Sequence, residues 1–184
     1  GVMSKTRSSA EESASLARTI GVGDAEVFNT ITEMVAEPSI NALWICAPNF
    51  TRLEIMEEIF NAIDSGKGEL IGVTCEKPLG RNVKEAKKVL ELTQRAGLLD
   101  GYLENQVFAP SVTRGKEIIW SRGAKATGRP YLARAAEEHS GPHMPWFWEG
   151  ELQGGGVLND MMCHSVEEAR FMLTEPGKKR DSLT

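Results

Sequence analysis

Two groups of residues in this sequence have side chains suited to acid–base chemistry. The first is Asp160-x-x-x-His164, a spacing that places both side chains on one face of a helix, one turn apart. A carboxylate beside an imidazole can fix its tautomer and favour its protonated form, as a general acid or base requires. A solvated pair on a surface helix has the same spacing, so this group alone leaves the function open. Three glycines, Gly154–Gly156, precede it and permit close approach of backbone to a ligand or another element.

The second group follows the apolar runs that are predicted to be strands. Three polar segments occupy such positions: Ala47-Pro48-Asn49, Glu76-Lys77-Pro78 and Glu104-Asn105. A lysine and a glutamate at the end of a buried strand indicate a role beyond a simple turn, because burial of unpaired charge costs free energy. Pro48 and Asn49 are also common turn residues, and a turn without further function is the competing interpretation for that segment.

These groups are held by a regular alternation of predicted strands and helices up to about residue 105. The predicted strands are 26–28, 42–46, 70–75 and 101–103, and the predicted helices are 8–20, 30–37, 51–64 and 82–96. Continuous apolar runs such as 42–46 are typical of strands buried on both faces of a parallel sheet. With short connections, this order predicts an open, doubly wound α/β sheet. Ligands of such sheets bind beyond the carboxyl ends of the strands, so the three polar segments are expected to line one crevice.

The pattern changes beyond residue 105. A helix over 110–121, an extended segment over 129–139, a loop rich in Gly, Pro and Trp over 140–156 and a helix over 157–173 are predicted there. We therefore expect a doubly wound α/β domain over 1–105 and the start of a second α/β (α+β) domain over 106–184. The sequence begins at what resembles the end of a strand, and the second domain lacks the strands to close a sheet. Both features predict a piece of a longer protein.

Composition excludes some classes of function. The net charge of −5 provides no basic field for a nucleic-acid backbone. No apolar run approaches the roughly 20 residues of a membrane span. The three cysteines, Cys46, Cys75 and Cys163, are far apart and fit no disulfide framework, which favours reduced thiols and a cytoplasmic location.

A metal site is the competing chemical interpretation of the second domain. Asp160, Cys163 and His164 could ligate zinc together with His139 or His143. On a helix, however, Cys163 lies about 100° around the axis from His164. No Cys-x-x-Cys pair supports the site either, so no metal is predicted.

Three motifs together resemble a known family. Cys75-Glu76-Lys77-Pro78-Leu79 resembles the Glu-Lys-Pro motif of the Gfo/Idh/MocA oxidoreductases, the relatives of glucose–fructose oxidoreductase and inositol dehydrogenase. The segment Gly154 to Ser165 resembles their Gly-Gly-Gly…Asp-x-x-x-His segment, and Ala47-Pro48-Asn49 resembles their Pro-Asn turn. The order and spacing of the three match over essentially the whole chain.

The resemblance implies a Rossmann domain, a second domain with a large, mostly antiparallel sheet, and hydride transfer between a nicotinamide dinucleotide and a sugar, polyol or related small molecule. It implies that Lys77 touches substrate and nicotinamide and stabilises the alkoxide, and that His164 is the acid/base. Asp160 would orient His164 or bind the sugar, and a cis peptide bond would precede Pro78. The full-length protein would be a homo-oligomer. A non-catalytic sensor or structural subunit of the same fold is the alternative.

Further contacts are expected from the same resemblance. The predicted coenzyme contacts are Ser4, Lys5, Arg7, Pro48, Asn49, Glu76, Lys77, Pro78 and Asn105, and the predicted substrate contacts are Lys77, His139, Trp148, Asp160 and His164.

The sequence also departs from the family pattern. It contains no Gly-x-Gly-x-x-Gly phosphate loop, and Arg52 stands where the family often has a histidine after the Pro-Asn turn. Where an acidic residue would favour NAD, it has Ser4, Lys5 and Arg7, which suit a 2′-phosphate and favour NADP slightly over NAD. Solvated surface charge is the alternative interpretation of these residues.

Overall fold

A computed structural model describes residues 1–179, so 180–184, the last five residues of the predicted second domain, lie outside the described part. The chain divides into two compact units, Gly1–Tyr102 and Leu103–Thr184. The strands are β1 (Ala42–Ile45), β2 (Gly72–Glu76) and β3 (Leu99–Leu103). The helices are α1 (Arg7–Thr19), α2 (Ile31–Ala36), α3 (Arg52–Asp64), α4 (Val83–Arg95), α5 (Pro110–Ile118), α6 (Ala124–Thr127), α7 (Gly150–Gln153), α8 (Val157–Asp160) and α9 (Met162–Leu173).

The sheet has the strand order β1-β2-β3, and β1 and β2 are parallel with Ile45 opposite Cys75. This confirms the α/β, Rossmann-like class predicted from the alternation of strands and helices. The predicted strand 26–28 is wrong as an element, because only one isolated parallel bridge joins Val2 to Val27. A single bridge provides too few hydrogen bonds to count as a strand.

Helices α2, α3 and α4 contribute the apolar side chains that fill the core of the first unit. Met56 and Ile59 on α3 are fully buried in it. Thr30 caps α2 by accepting a hydrogen bond from the Glu33 amide at 3.0 Å, as its position before the helix predicts. The prediction that β1 is buried on both faces is wrong. Its residues alternate, with Leu43 and Ile45 in the core, whereas Trp44 on the opposite face is 70% exposed.

The first helix begins at Arg7, one residue before the predicted start, and the side chain of Thr6 at the N-cap position does not cap it. It ends before Gly21, whose φ of 73° is readily adopted only by glycine.

The second unit is mostly helical in its described part. Helix α5 continues through a π-helical turn, Ile119–Gly123, into α6, so the helical segment is longer than the predicted 110–121. Residues 129–139 are not in a strand. The predicted single helix over 157–173 is divided at Met161 into α8 and α9. At this break the His164 amide donates to the Met161 carbonyl, three residues back instead of four.

Within residues 1–179, every helix is too short or too polar to cross a lipid bilayer.

The three thiols differ in environment, and this leads to a first prediction. Cys75 on β2 is 4% exposed, and burial raises its pKa to about 11, whereas Cys46 is exposed and partial burial raises the pKa of its thiol by less. Because only the thiolate is alkylated, Cys75 should react with iodoacetamide at neutral pH at least about tenfold more slowly than Cys46. Peptide mass spectrometry of the folded chain measures both rates, and urea should abolish the difference. Equal rates without urea would contradict the burial of Cys75.

Candidate active site

The Glu76-Lys77-Pro78 turn begins where β2 ends. Glu76 is the last residue of the strand, and its carboxylate accepts a hydrogen bond from the Lys77 amide at 2.9 Å. The peptide bond between Lys77 and Pro78 is cis, as the family resemblance implied. All three side chains are partly buried. The Lys77 backbone therefore directly follows a parallel strand whose residues Val73 and Cys75 are buried in the core.

Arg52 joins this turn to the end of β1. Its side chain is 5% exposed and donates from Nε to the Ala47 carbonyl at 2.9 Å. From Nη1 it donates to the Glu76 carbonyl at 2.7 Å and to the Pro78 carbonyl. Burial lowers the pKa of the Arg52 guanidinium. Because the ordinary pKa of arginine is so far above neutrality, the guanidinium stays charged.

The other predicted coenzyme residues of the first unit lie on two segments. Pro48 is partly buried, and Asn49 begins a short 3₁₀ turn after β1 and is 2% exposed. Ser4 and Lys5 precede α1, and Arg7 is its first residue. The Arg7 guanidinium contacts Glu11 at 2.8 Å and Asn29 at 2.5 Å.

Glu104 and His164 form a buried acid–base pair in the second unit. Glu104 follows β3 and His164 lies in α9, and their side chains are 3% and 6% exposed. Glu104 Oε2 lies 2.5 Å from His164 Nδ1. Neither atom has an aligned hydrogen bond to a described residue, so the pair is a close electrostatic contact. Glu104 Oε1 accepts from the Gln106 amide at 2.9 Å, which fixes the carboxylate.

This contact assigns the two nitrogens of His164 different roles. A carboxylate at Nδ1 favours the tautomer that carries its proton there, so Nε2 is left as the proton acceptor. The family resemblance implied that Asp160 either orients His164 or binds the sugar. The structure supplies Glu104 at Nδ1, and Asp160 lies on α8, across the break at Met161. The prediction that both occupy one continuous helix is wrong, because α8 ends after one turn.

The triple-glycine turn is shaped by Gln153, for which no motif in the sequence indicates a role. Gln153 is 2% exposed, and its Oε1 accepts from the amides of Gly155, at 2.8 Å, and Gly156. A Cβ on Gly155 would lie 2.8 Å from the Cβ of Asn159. At Gly155 the glycine therefore permits close approach of the backbone to another part of the chain.

The remaining predicted residues have different surroundings. His139 accepts from the Gly141 amide through Nδ1 at 2.9 Å, so its proton faces Met161 Sδ, 2.9 Å from Nε2. This places His139 beside the break between α8 and α9. Trp148 is 74% exposed and lies against Gly141, and Asn105 is exposed.

A metal could be held by a different set from the one considered in the sequence. The ligand atoms of Glu104, Cys163 and His164 lie within 4.8 Å of one another. The angle of about 100° between Cys163 and His164 around the helix axis therefore does not separate their ligand atoms, contrary to the prediction. Tetrahedral zinc with bonds of about 2.0–2.2 Å needs ligand atoms about 3.4 Å apart, and Glu104 and His164 would have to separate to admit it. The geometry fits an acid–base pair better than an occupied metal site.

Comparison with known proteins identifies the family. Residues 1–101 match the oxidoreductase family with an NAD-binding Rossmann fold, and residues 122–180 match the Gfo/Idh/MocA C-terminal domain. The chain belongs to the Gfo/Idh/MocA oxidoreductase family. The resemblance recognised from the three motifs is thereby confirmed.

Similar proteins include sugar-acting enzymes. The chain is 28% identical over 176 residues to the 1,5-anhydro-D-fructose reductase of Ensifer adhaerens, covering 95% of this chain and 49% of that protein. It is 26% identical to the levoglucosan dehydrogenase of Pseudarthrobacter phenanthrenivorans, covering 77% and 35% of the two. The chain thus spans half or less of the length of these relatives.

Solved structures show the same fold. GenD2 from gentamicin A biosynthesis, in complex with NAD, aligns with a TM-score of 0.70 at 25% identity, covering 95% of this chain and 46% of that one. A levoglucosan dehydrogenase in complex with NADH and levoglucosan aligns with a TM-score of 0.67 at 22% identity, covering 93% and 44%.

The first unit fits part of a nicotinamide dinucleotide. Two parallel strands end side by side, and their following turns carry Pro48 and Lys77, which suits the coenzyme position of a doubly wound sheet.

Proposed function

We propose that this chain carries the catalytic groups of an oxidoreductase that transfers a hydride between a nicotinamide dinucleotide and a CH–OH carbon of a sugar, polyol or related small molecule. The observation that carries the proposal is the buried Glu104–His164 contact of 2.5 Å. It leaves one imidazole nitrogen as a base, which oxidation of an alcohol requires. Membership of the family supplies the nicotinamide context.

The proposed roles follow from the chemistry of each side chain. The bound nicotinamide supplies the hydride acceptor. His164 Nε2 takes the hydroxyl proton, and the Lys77 ammonium stabilises the negative charge that develops on that oxygen. Asp160 hydrogen-bonds a substrate hydroxyl, and Glu104 is a positioning residue that holds His164.

The coenzyme preference and the assembly are also part of the proposal. NADP is slightly favoured because Ser4, Lys5 and Arg7 offer a hydroxyl and two cations. The contacts of Arg7 with Glu11 and Asn29 would compete with a 2′-phosphate. We further propose that the whole protein is a cytoplasmic homo-oligomer.

Turnover by the whole protein tests the function. With NAD⁺ or NADP⁺ and a panel of sugars and polyols, the absorbance of reduced nicotinamide should rise with at least one substrate. NADP⁺ should have the higher kcat/KM. Coenzyme binding without turnover on any substrate would overturn the proposal and favour a non-catalytic member of the family. A higher kcat/KM with NAD⁺ would overturn only the coenzyme preference.

A further inference from the structure

The feature that the proposed chemistry does not use is the buried guanidinium of Arg52. It is 5% exposed, and its hydrogen bonds run to three backbone carbonyls, those of Ala47, Glu76 and Pro78. Two of these carbonyls belong to the residues immediately before and after Lys77. Arg52 therefore donates hydrogen bonds to the backbone on both sides of Lys77.

Burial of this cation requires compensation. A charged group removed from water is costly unless its hydrogen bonds are satisfied, and carbonyl dipoles supply part of that compensation. The planar guanidinium has its donors in a fixed fork, so it can hold several acceptors in one relative geometry. A lysine in its place would offer a point charge on a flexible stem and could not reproduce this geometry.

The three carbonyls also come from two different strand ends. Ala47 follows β1, and Glu76 ends β2. The β1–β2 register pairs Ile45 with Cys75 and no residue beyond them. Arg52 thus extends the connection between the strands past the point where their pairing ends, at the turn that carries Lys77.

We propose that Arg52 is a positioning residue for Lys77, which fixes the Glu76-Lys77-Pro78 turn through its hydrogen bonds to the flanking carbonyls. The catalytic consequence rests on the proposed function, in which the Lys77 ammonium must meet one developing oxyanion. A displacement of about 1 Å in such a group can cost on the order of 100-fold in rate.

Hydrogen exchange tests the structural half of this proposal on the chain itself. In Arg52→Lys, the amides of residues 76–81 other than Pro78, which has none, should exchange at least about tenfold faster, while those of α4 keep their rates. Arg18→Lys is the matched control, because Arg18 is exposed and pairs with Asp24 at 3.5 Å. Exchange that rises equally in α4 indicates general destabilisation, and unchanged exchange at 76–81 indicates that the turn holds without Arg52. Either result would overturn the proposal.

Kinetics of the whole protein test the catalytic half. Arg52→Lys should lower kcat at least about tenfold with little change in the KM for coenzyme. In Arg52→Ala, added methylguanidinium should restore part of the lost kcat, and it should have no effect on Arg18→Ala. Unchanged kcat in both Arg52 variants would overturn the catalytic role. If the unmodified protein shows no turnover, the proposed function fails, and the exchange experiment still decides whether Arg52 holds the turn.

Discussion

Replacement of Lys77 by alanine is expected to lower kcat/KM of the whole protein by about 10³-fold, which corresponds to about 4 kcal/mol of transition-state stabilisation. The reason is that an ammonium group placed at a developing alkoxide interacts with the transition state more strongly than with the neutral hydroxyl of the substrate. Steady-state rates of nicotinamide reduction measure the loss. A variant that retains full turnover would remove Lys77 from the proposed mechanism.

A matched control separates this effect from a general loss of positive charge. Lys88 lies on α4 in an exposed pair with Glu91 at 3.0 Å, and Lys88→Ala should leave kcat/KM within about twofold of the unmodified protein. Thermal unfolding should show little change in either variant. The carbonyls that Arg52 holds are backbone atoms and remain when the Lys77 side chain is truncated.

The elements that hold Lys77 could be predicted because their signals are local. The apolar run before Glu76 has the length of a strand, and a glutamate and a lysine directly after such a run are unusual enough to attract attention. Thr30 before an apolar period predicts a helix start, and the structure has that cap. Each of these signals depends on neighbours within a few residues.

The partner of His164 could not be predicted in the same way. Glu104 and His164 are far apart in sequence, and nothing local indicates that they meet. Their contact depends on the strand ending at Leu103, which decides whether Glu104 or Asn105 is turned inward. The periodicity of 3.6 residues favoured Asp160 only on the assumption of an unbroken helix, and the break at Met161 removes that assumption.

Arg52 shows a related limit. In the sequence it is a departure from a family pattern, and a long cation near a helix start would ordinarily be assigned to solvent. Its burial follows from two turns that come together only once β1 and β2 are paired. The three carbonyl partners of Arg52 are brought together by the tertiary structure, and the local sequence around Arg52 does not indicate them.

The second large effect is expected from Glu104→Gln. The amide is nearly isosteric but uncharged, and its NH₂ group can face Nδ1 of His164 and move the imidazole proton to Nε2. The base would then be in the wrong tautomer, and a change of this kind costs up to about 10⁴-fold in a Ser-His-Asp triad. Because the remaining side-chain oxygen at position 104 can still accept from the Gln106 amide, the side chain stays in place, and we expect a loss of kcat of about 10²–10³-fold in the whole protein.

Asp160→Asn is the informative comparison, because both carboxylates are candidates for orienting His164. If Glu104 orients the imidazole and Asp160 binds a substrate hydroxyl, Glu104→Gln lowers kcat while Asp160→Asn chiefly raises the KM for substrate. The ring nitrogens of His164, followed by ¹⁵N NMR, should change tautomer in Glu104→Gln and keep it in Asp160→Asn. The reverse pattern would restore Asp160 as the orienting residue. The buried contact at 2.5 Å would then be a structural pair, whose loss lowers stability without acting on the chemistry.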